Sequence, residues 1–371
     1  MTNKRTFFWS GVGLGDVKSA LQAAQQHVVQ EMDVHERYHV KYEQEVSRNG
    51  DTVVRKCIDR ATGEKMDIRS TYKLGQQSID DLRNEAVLLA GFEHPNILGV
   101  REVFEDDKHL HIVTERCKGG ELYDLLFKKA RKGEYFSEVE AAAVVYQLLL
   151  AVSYLHHKTF VHRDIKLDGI FLKSKNVGDL SLRICNFSAA TGYNPKVSRP
   201  MNARVGTTFS IAPEVLRGSS YTNKCDIWAV GVIGYALMCG KAPFQATHDL
   251  DTLELVKSDK VVEFPKSDWA GVSELAKAFL RRCLNKEPGA RPSVNLLLGH
   301  PWIAKMKPDF VGLIDVPPPS KRRFLGKGFL SRRSRLKEKS SRKMVASSAR
   351  ISMTGSVNMT GSVNMIPLEL V

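Results

Sequence analysis

The sequence lacks most of the devices that hold small or secreted proteins together. It has no CxxC pair, and its six cysteines (Cys57, Cys117, Cys185, Cys225, Cys239 and Cys283) are widely scattered. That pattern argues against a disulfide frame or a cysteine-rich zinc centre and for free thiols in a reducing compartment. A cytoplasmic location is therefore expected, with the nucleus as the other reducing choice. No apolar run approaches the ~18 residues of a membrane span, which argues against an integral membrane protein. The opening MTNKRTFFWSGVGLGD is too short and glycine-broken for a secretory signal, Thr2 removes the myristoylation site, and IPLELV is no prenylation box. Acid is scarce in one place above all. Residues 321–343, KRRFLGKGFLSRRSRLKEKSSRK, carry many cations and a single carboxylate, Glu338, within a chain of net charge +14.

What is present suits an ordinary globular protein: 371 residues, 43% hydrophobic and 26% charged, enough for a two-lobed domain with flanking segments. The basic stretch reads first as a solvated tail. It also suits an anionic-membrane contact, a calmodulin-type target or an intramolecular cleft blocker. Gly326 and Gly328 weaken any helix there. Basic strands interleaved with aromatics are missing, so nucleic acid is not an expected partner.

Three regions follow from the patterning. In residues 1–37, Val17, Leu21, Ala24, Val28 and Met32 recur at helical spacing, which predicts a helical extension packed on the main domain. Strands are predicted over 42–58 and 65–72, with turns at Asn49-Gly50 and Thr62-Gly63, then a helix over 79–89 and strands over 100–104 and 111–115. After Gly119-Gly120 the pattern turns helical, in ELYDLLFKKA and EVEAAAVVYQLLLAVSYLHH. A β-rich part followed by an α-rich part predicts an α+β, two-lobed domain over 38–303, the small lobe spanning about 38–115 and the large one about 118–303. Residues 304–371 form the third region: a proline linker, the basic stretch and the tandem MTGSVN repeat, a low-complexity tail.

Several motifs in order name a resemblance. HRDIK at 162–166, IAPEV at 211–215, KCDIWAVGVIGYALMCG at 224–240 and RPSVNLLLGHPWI at 291–303 resemble eukaryotic protein kinases. HPNIL, GGELYDLL and HPWI resemble the calcium/calmodulin-dependent group, although no EF-hand-type D-x-D-x-D-G loop follows. The resemblance implies a bilobal kinase fold and keeps its frame. Glu214 and Arg291 would clamp the large lobe, Asp226 and Trp228 would anchor its central helix, and Val100, Leu89, Phe187 and His162 would stack as a spine resting on Asp226. Glu85 would stand on the small-lobe helix as the activating glutamate. Thr114, Glu115, Cys117 and Glu121 would line the nucleotide cleft, and Glu121 with Asp124 would read a basic substrate or receive the basic tail.

The phosphate chemistry departs from that pattern. The three glycine offsets of the phosphate-covering loop fall on Ser47, Asn49 and Thr52, with Gly50 out of register. GVGLG at 11–15 lies far upstream and reads as a turn. Arg69 stands where the family carries the phosphate-gripping lysine, a change that keeps charge but not geometry. Asp67 replaces a small apolar residue against the adenine. Strand alternation puts it on the face of Arg69, which predicts an Asp67–Arg69 ion pair filling the pocket, with exposure at the pocket mouth as the alternative. Phe171 floors the same pocket. At the two metal-ligand positions stand Gly169, without a side chain, and Asn186, without charge, whereas magnesium wants anionic oxygens. Asp168 is a substitute ligand of unknown direction. Asp164 and Lys166 remain at the catalytic positions, either for chemistry or because Asp164 also caps its own loop. Arg163 could anchor an activation loop phosphorylated at Thr207 or Thr208.

The reading is a pseudokinase acting as a signalling scaffold or allosteric partner of proteins, among them other kinases or kinase substrates. No cofactor is expected beyond weak metal-independent ATP binding. The alternatives are an atypical serine/threonine kinase that uses Mg²⁺ and a membrane- or calmodulin-binding adaptor working through 321–343.

Overall fold

The computed structural model describes residues 33–73, 76–176, 178–195 and 200–314. The predicted helical stripe of 1–32 and the linker, basic stretch and repeat from 315 onward lie outside the described residues.

A short helix α1 (Val34–Arg37), capped by Asp33, leads into β1 (Tyr38–Asn49). Then come β2 (Thr52–Asp59), β3 (Lys65–Tyr72), α2 (Gln76–Ala90), β4 (Val100–Glu105) and β5 (His109–Thr114). The five strands form one antiparallel sheet in the order β1-β2-β3-β5-β4. Asn49 pairs with Thr52, so Gly50 and Asp51 alone make the β1–β2 turn. Gly50 adopts φ +53°, as a two-residue hairpin turn requires. Alternation buries Tyr38, Val40, Cys57, Met66, Ile68, Phe104 and Val113 on one sheet face, together with Val34. A second cluster sets Ala86 of α2 on Val103, Leu110 and Ile112.

The remainder is mostly helical. A short β6 (Gly120–Glu121) opens α3 (Leu122–Ala130), and α4 (Glu138–His157) follows. A capping box starts α4: the Ser137 hydroxyl accepts from the Glu140 N–H, and the Glu140 carboxylate accepts from the Ser137 N–H. This helix is long and apolar enough to cross a membrane, which corrects the expectation that no such run exists. Its side chains from Ala141 to Leu149 are buried in the large-lobe core, and that burial explains its apolarity. Next come β7 (Phe160–Val161), β8 (Ile170–Leu172), β9 (Leu182–Ile184), β10 (Thr191–Gly192) and α5 (Pro213–Leu216). The central α6 (Lys224–Cys239) ends on Gly240, whose left-handed φ of +72° stops the helix. Peripheral α7 (Asp249–Lys257), α8 (Lys266–Trp269), α9 (Glu274–Cys283), α10 (Val294–Leu298) and α11 (Pro301–Phe310) close the lobe.

Two buried carboxylates organise this lobe. Asp226 of α6 accepts the backbone N–H groups of His162 (3.1 Å) and Arg163 (2.8 Å) and pairs with His156 Nε2 at 2.9 Å. These partners hold its carboxyl below the ordinary value against the opposing effect of burial. They also fix the loop after β7, where Arg163 takes φ +69°. Glu214 makes a two-pronged pair with Arg291, 2.7 Å on each side.

Candidate functional site

The candidate residues lie on β3, β5, β8, β9 and the loops around them. Arg69 sits on β3 between Asp67 and Thr71, and α2 brings Glu85 over it. Their Nη1–Oε1 separation is 2.9 Å, with Glu85 buried. The Phe187 ring packs at a tilt against His162 (4.6 Å) and Phe92 (5.4 Å), and Leu89 is buried in the same cluster. The Arg69–Glu85 pair lies within the small lobe, and the tilted Phe92–Phe187 ring contact joins that lobe to the large one.

The predicted Asp67–Arg69 pair does not form. Arg69 turns to Glu85, because the helix carboxylate stands directly over it. Asp67 instead has Arg116 Nε at 3.6 Å, an ion-pair distance too long for a hydrogen bond, and its buried Oδ1 accepts none. At 8% exposure, Asp67 is not at a solvated pocket mouth either. Burial pushes its carboxyl up to about 6, against the pull of Arg116 and Lys56. The folded pKa thus lies above the ordinary 3.8. The folded protein keeps a proton that the unfolded chain releases, so stability falls as pH rises from about 4 to about 6. Asp67→Ala is therefore expected to gain on the order of 2 kcal/mol at pH 7 relative to its effect at pH 4. Urea melts at the two pH values check it, and an equal effect at both would refute a strained carboxylate.

Other cleft residues serve the frame. Glu115 directs Oε1 to the Gly99 N–H (3.0 Å) and to Arg183 Nε of β9 (2.8 Å). Thr114 is buried and pairs with Asp67 across β3–β5. The Cys117 thiol is pushed up to about 12, chiefly by burial, and is held protonated. Phe171 pairs with Glu121 and points from β8 opposite to the buried Ile170 and Leu172. Glu121 has its carboxyl raised to about 7, first by burial and then by Asp124 and Asp168.

At the catalytic loop, Asn186 takes φ +65° and its Nδ2 donates to Asp164 Oδ2 at 3.3 Å. Its Oδ1 accepts from the Ser188 hydroxyl at 2.9 Å. The Thr207 hydroxyl donates to the other Asp164 oxygen at 2.8 Å. Thr207, one of the two threonines expected as phosphorylation candidates, is thus tied to Asp164. Lys166 Nζ lies 3.9 Å from Asp164 and 3.2 Å from Asp168, so Asp168 turns toward that ammonium. Arg163, proposed as a phosphate anchor, donates to the Ala189 carbonyl (2.6 Å) and the Tyr221 hydroxyl (3.2 Å). Three partnerships escaped sequence reasoning: Arg116 beside Asp67, Asn186 on Asp164, and Thr207 on Asp164. Only the first left a trace, since Arg116 lies two residues beyond Thr114, the strand partner of Asp67.

Comparison with known proteins agrees with this geometry. Residues 40–303 match the family profile "Protein kinase domain". Calcium-dependent protein kinase 3 of Plasmodium berghei (strain Anka) is 33% identical over 258 residues, 68% of this chain and 45% of its own. Serine/threonine-protein kinase 33 of Bos taurus is 34% identical over 258 residues, 68% of this chain and 52% of its own. Calcium-dependent protein kinase 5 of Plasmodium falciparum (isolate 3D7) is 36% identical over 254 residues, 68% of this chain and 43% of its own. The chain belongs to the protein kinase family, and it spans about half the length of these relatives.

Proposed function

We propose that this chain is a pseudokinase of the serine/threonine type, retained as a signalling scaffold or allosteric partner, with phosphotransfer lost or residual. One observation carries the reading: both oxygens of Asp164 are engaged by the protein's own donors, Asn186 Nδ2 and Thr207 Oγ1. The position of a charged metal ligand is filled by an amide that aims its nitrogen, a donor, at the catalytic carboxylate. Gly169 supplies no ligand, and Asp168 is drawn to Lys166. Such a donor set does not fit Mg²⁺, which needs anionic oxygens in octahedral array. A divalent ion supplies several kcal/mol of transition-state stabilisation, and each ~1.4 kcal/mol is tenfold in rate. Weak metal-independent ATP binding fits the site better, since Arg69 Nη2 is buried without a hydrogen-bond partner and could meet a phosphate oxygen.

The second reading, an atypical serine/threonine kinase, is favoured by the closed Arg69–Glu85 bridge and the packed Phe187 and His162 rings. A phosphotransfer assay with Mg²⁺ or Mn²⁺ and an Asp164→Asn control separates them. Turnover at background for both proteins is expected. Activity abolished by Asp164→Asn would establish the enzyme instead. The proposed partners are proteins, other kinases or kinase substrates among them. The basic stretch 321–343 supports a subsidiary reading as a calmodulin- or anionic-membrane-binding adaptor, which pull-downs on calmodulin and anionic liposomes with and without that stretch would decide.

A further inference from the structure

Away from the cleft, the turn between β4 and β5 gathers Asp106, His109 and His111, whose ligand atoms all lie within 4.8 Å of one another. His109 and His111 are two apart on one strand, so alternation presents both rings on one face, with centroids 5.6 Å apart. His111 Nε2 lies 2.9 Å from Asp106 Oδ2, and His109 Nδ1 lies 3.6 Å from Oδ1.

The supports of these groups matter as much as their spacing. Asp106 Oδ1 accepts the backbone N–H groups of Lys108 and His109, 2.7 Å each, which fixes the carboxylate. His111 is 8% exposed, and its Nδ1 meets the Ser70 hydroxyl of β3 at 2.8 Å, which fixes the ring and aims Nε2 at Asp106. Metal-binding imidazoles carry an outer hydrogen-bond partner of this kind. The neighbouring cations Lys73, at 2.7 Å, and Arg83, at 2.8 Å, are both drawn to Glu105. His109 is partly exposed, and its ring packs edge-on against Tyr72 at 5.6 Å.

We propose that Asp106, His109 and His111 form a binding site for a borderline divalent ion, Zn²⁺ by ligand chemistry, with three protein ligands and a fourth position open to solvent. Two imidazoles and one carboxylate suit Zn²⁺ better than Ca²⁺ or Mg²⁺, which take oxygen sets. The ion takes the place of the proton between His111 Nε2 and Asp106 Oδ2, the neutral ring then carries its proton on Nδ1 and donates it to the Ser70 hydroxyl, and the ion clips the turn to the sheet. The site is independent of the nucleotide cleft and of the pseudokinase reading.

The test is calorimetric titration of the tag-free full chain, stripped of metal by chelation, with ZnCl₂. One equivalent is expected to bind. His109→Ala should weaken binding by more than tenfold, and Ser70→Ala, which removes no ligand, by about tenfold. Substitution with Co²⁺ should give visible bands without thiolate charge transfer. No Zn²⁺ binding, unchanged affinity in His109→Ala with a wild-type circular dichroism melt, or a thiolate band would each overturn the assignment.

Discussion

Arg291→Ala is expected to destabilise the protein by about 3–5 kcal/mol, the range for a buried ion pair broken on one side. Arg291 is 1% exposed and Glu214 4%. Beyond its two bonds to Glu214, the guanidinium donates to the carbonyls of Asn285 (2.7 Å) and Lys224 (3.0 Å). It also lies 5.0 Å from the centre of the Trp228 ring. One side chain thus joins the segment after α9, the start of α6 and the short α5. Its removal leaves a carboxylate in a dry core and two carbonyls without their donor. Arg291→Lys should recover little, since an ammonium cannot reproduce the fork. The double change Glu214→Met with Arg291→Met should regain part of the loss, because no charge is then stranded. Urea melts give the comparison. A double variant no more stable than Arg291→Ala would show that the carbonyl bonds, and not the stranded carboxylate, dominate.

The second large effect is a gain. Asn186→Asp with Gly169→Asn, in an Asp67→Ala background, is expected to create Mg²⁺-dependent ATP binding. Both backbone positions tolerate the change. Aspartate is among the residues that accept a left-handed φ such as the +65° at 186. A Cβ at 169 would meet Lys166 Cγ at 3.6 Å, the Cys185 carbonyl oxygen at 3.7 Å and Asn186 Cβ at 4.0 Å, all ordinary contacts. Asp67→Ala empties the pocket of its strained carboxylate. Without metal, the carboxylate introduced at position 186 would face Asp164 where an amide donor now lies 3.3 Å away, so the apo variant should melt lower than the single Asp67→Ala protein. With Mg²⁺ and ATP at about a hundred times Kd, stability should rise by about 2.7 kcal/mol. A folded variant whose melting ignores Mg²⁺ and ATP together would sink the electrostatic account. The unrepaired glycine offsets at Ser47, Asn49 and Thr52, Arg69 and Phe171 would then remain as the block.

The protein kinase family, the two-lobed α+β order and most element boundaries were legible in the chain itself. Alternation along 38–72, the Gly50 turn, the Ser137–Glu140 cap and the Gly240 stop are local signals, set by steric and hydrogen-bonding rules that act within a few residues. The departures from the family's residue pattern at 169 and 186 were legible for a similar reason. Gly169 lacks a side chain and Asn186 lacks a charge in any fold. Which partner each remaining polar group takes was not legible. Asp67 and Arg69 share a strand face, yet Arg69 pairs with a carboxylate sixteen positions away on a helix, and Asp67 is left beside Arg116. Thr207 reaches Asp164 across forty-three positions, and Ser70 reaches His111 across forty-one. Charges and donors choose among all neighbours in space by distance and burial, both of which exist only once the sheet, helix and loops are packed. The sequence alone therefore determined the architecture and which residues stand at 169 and 186, and the tertiary structure decided which partners the remaining polar groups take.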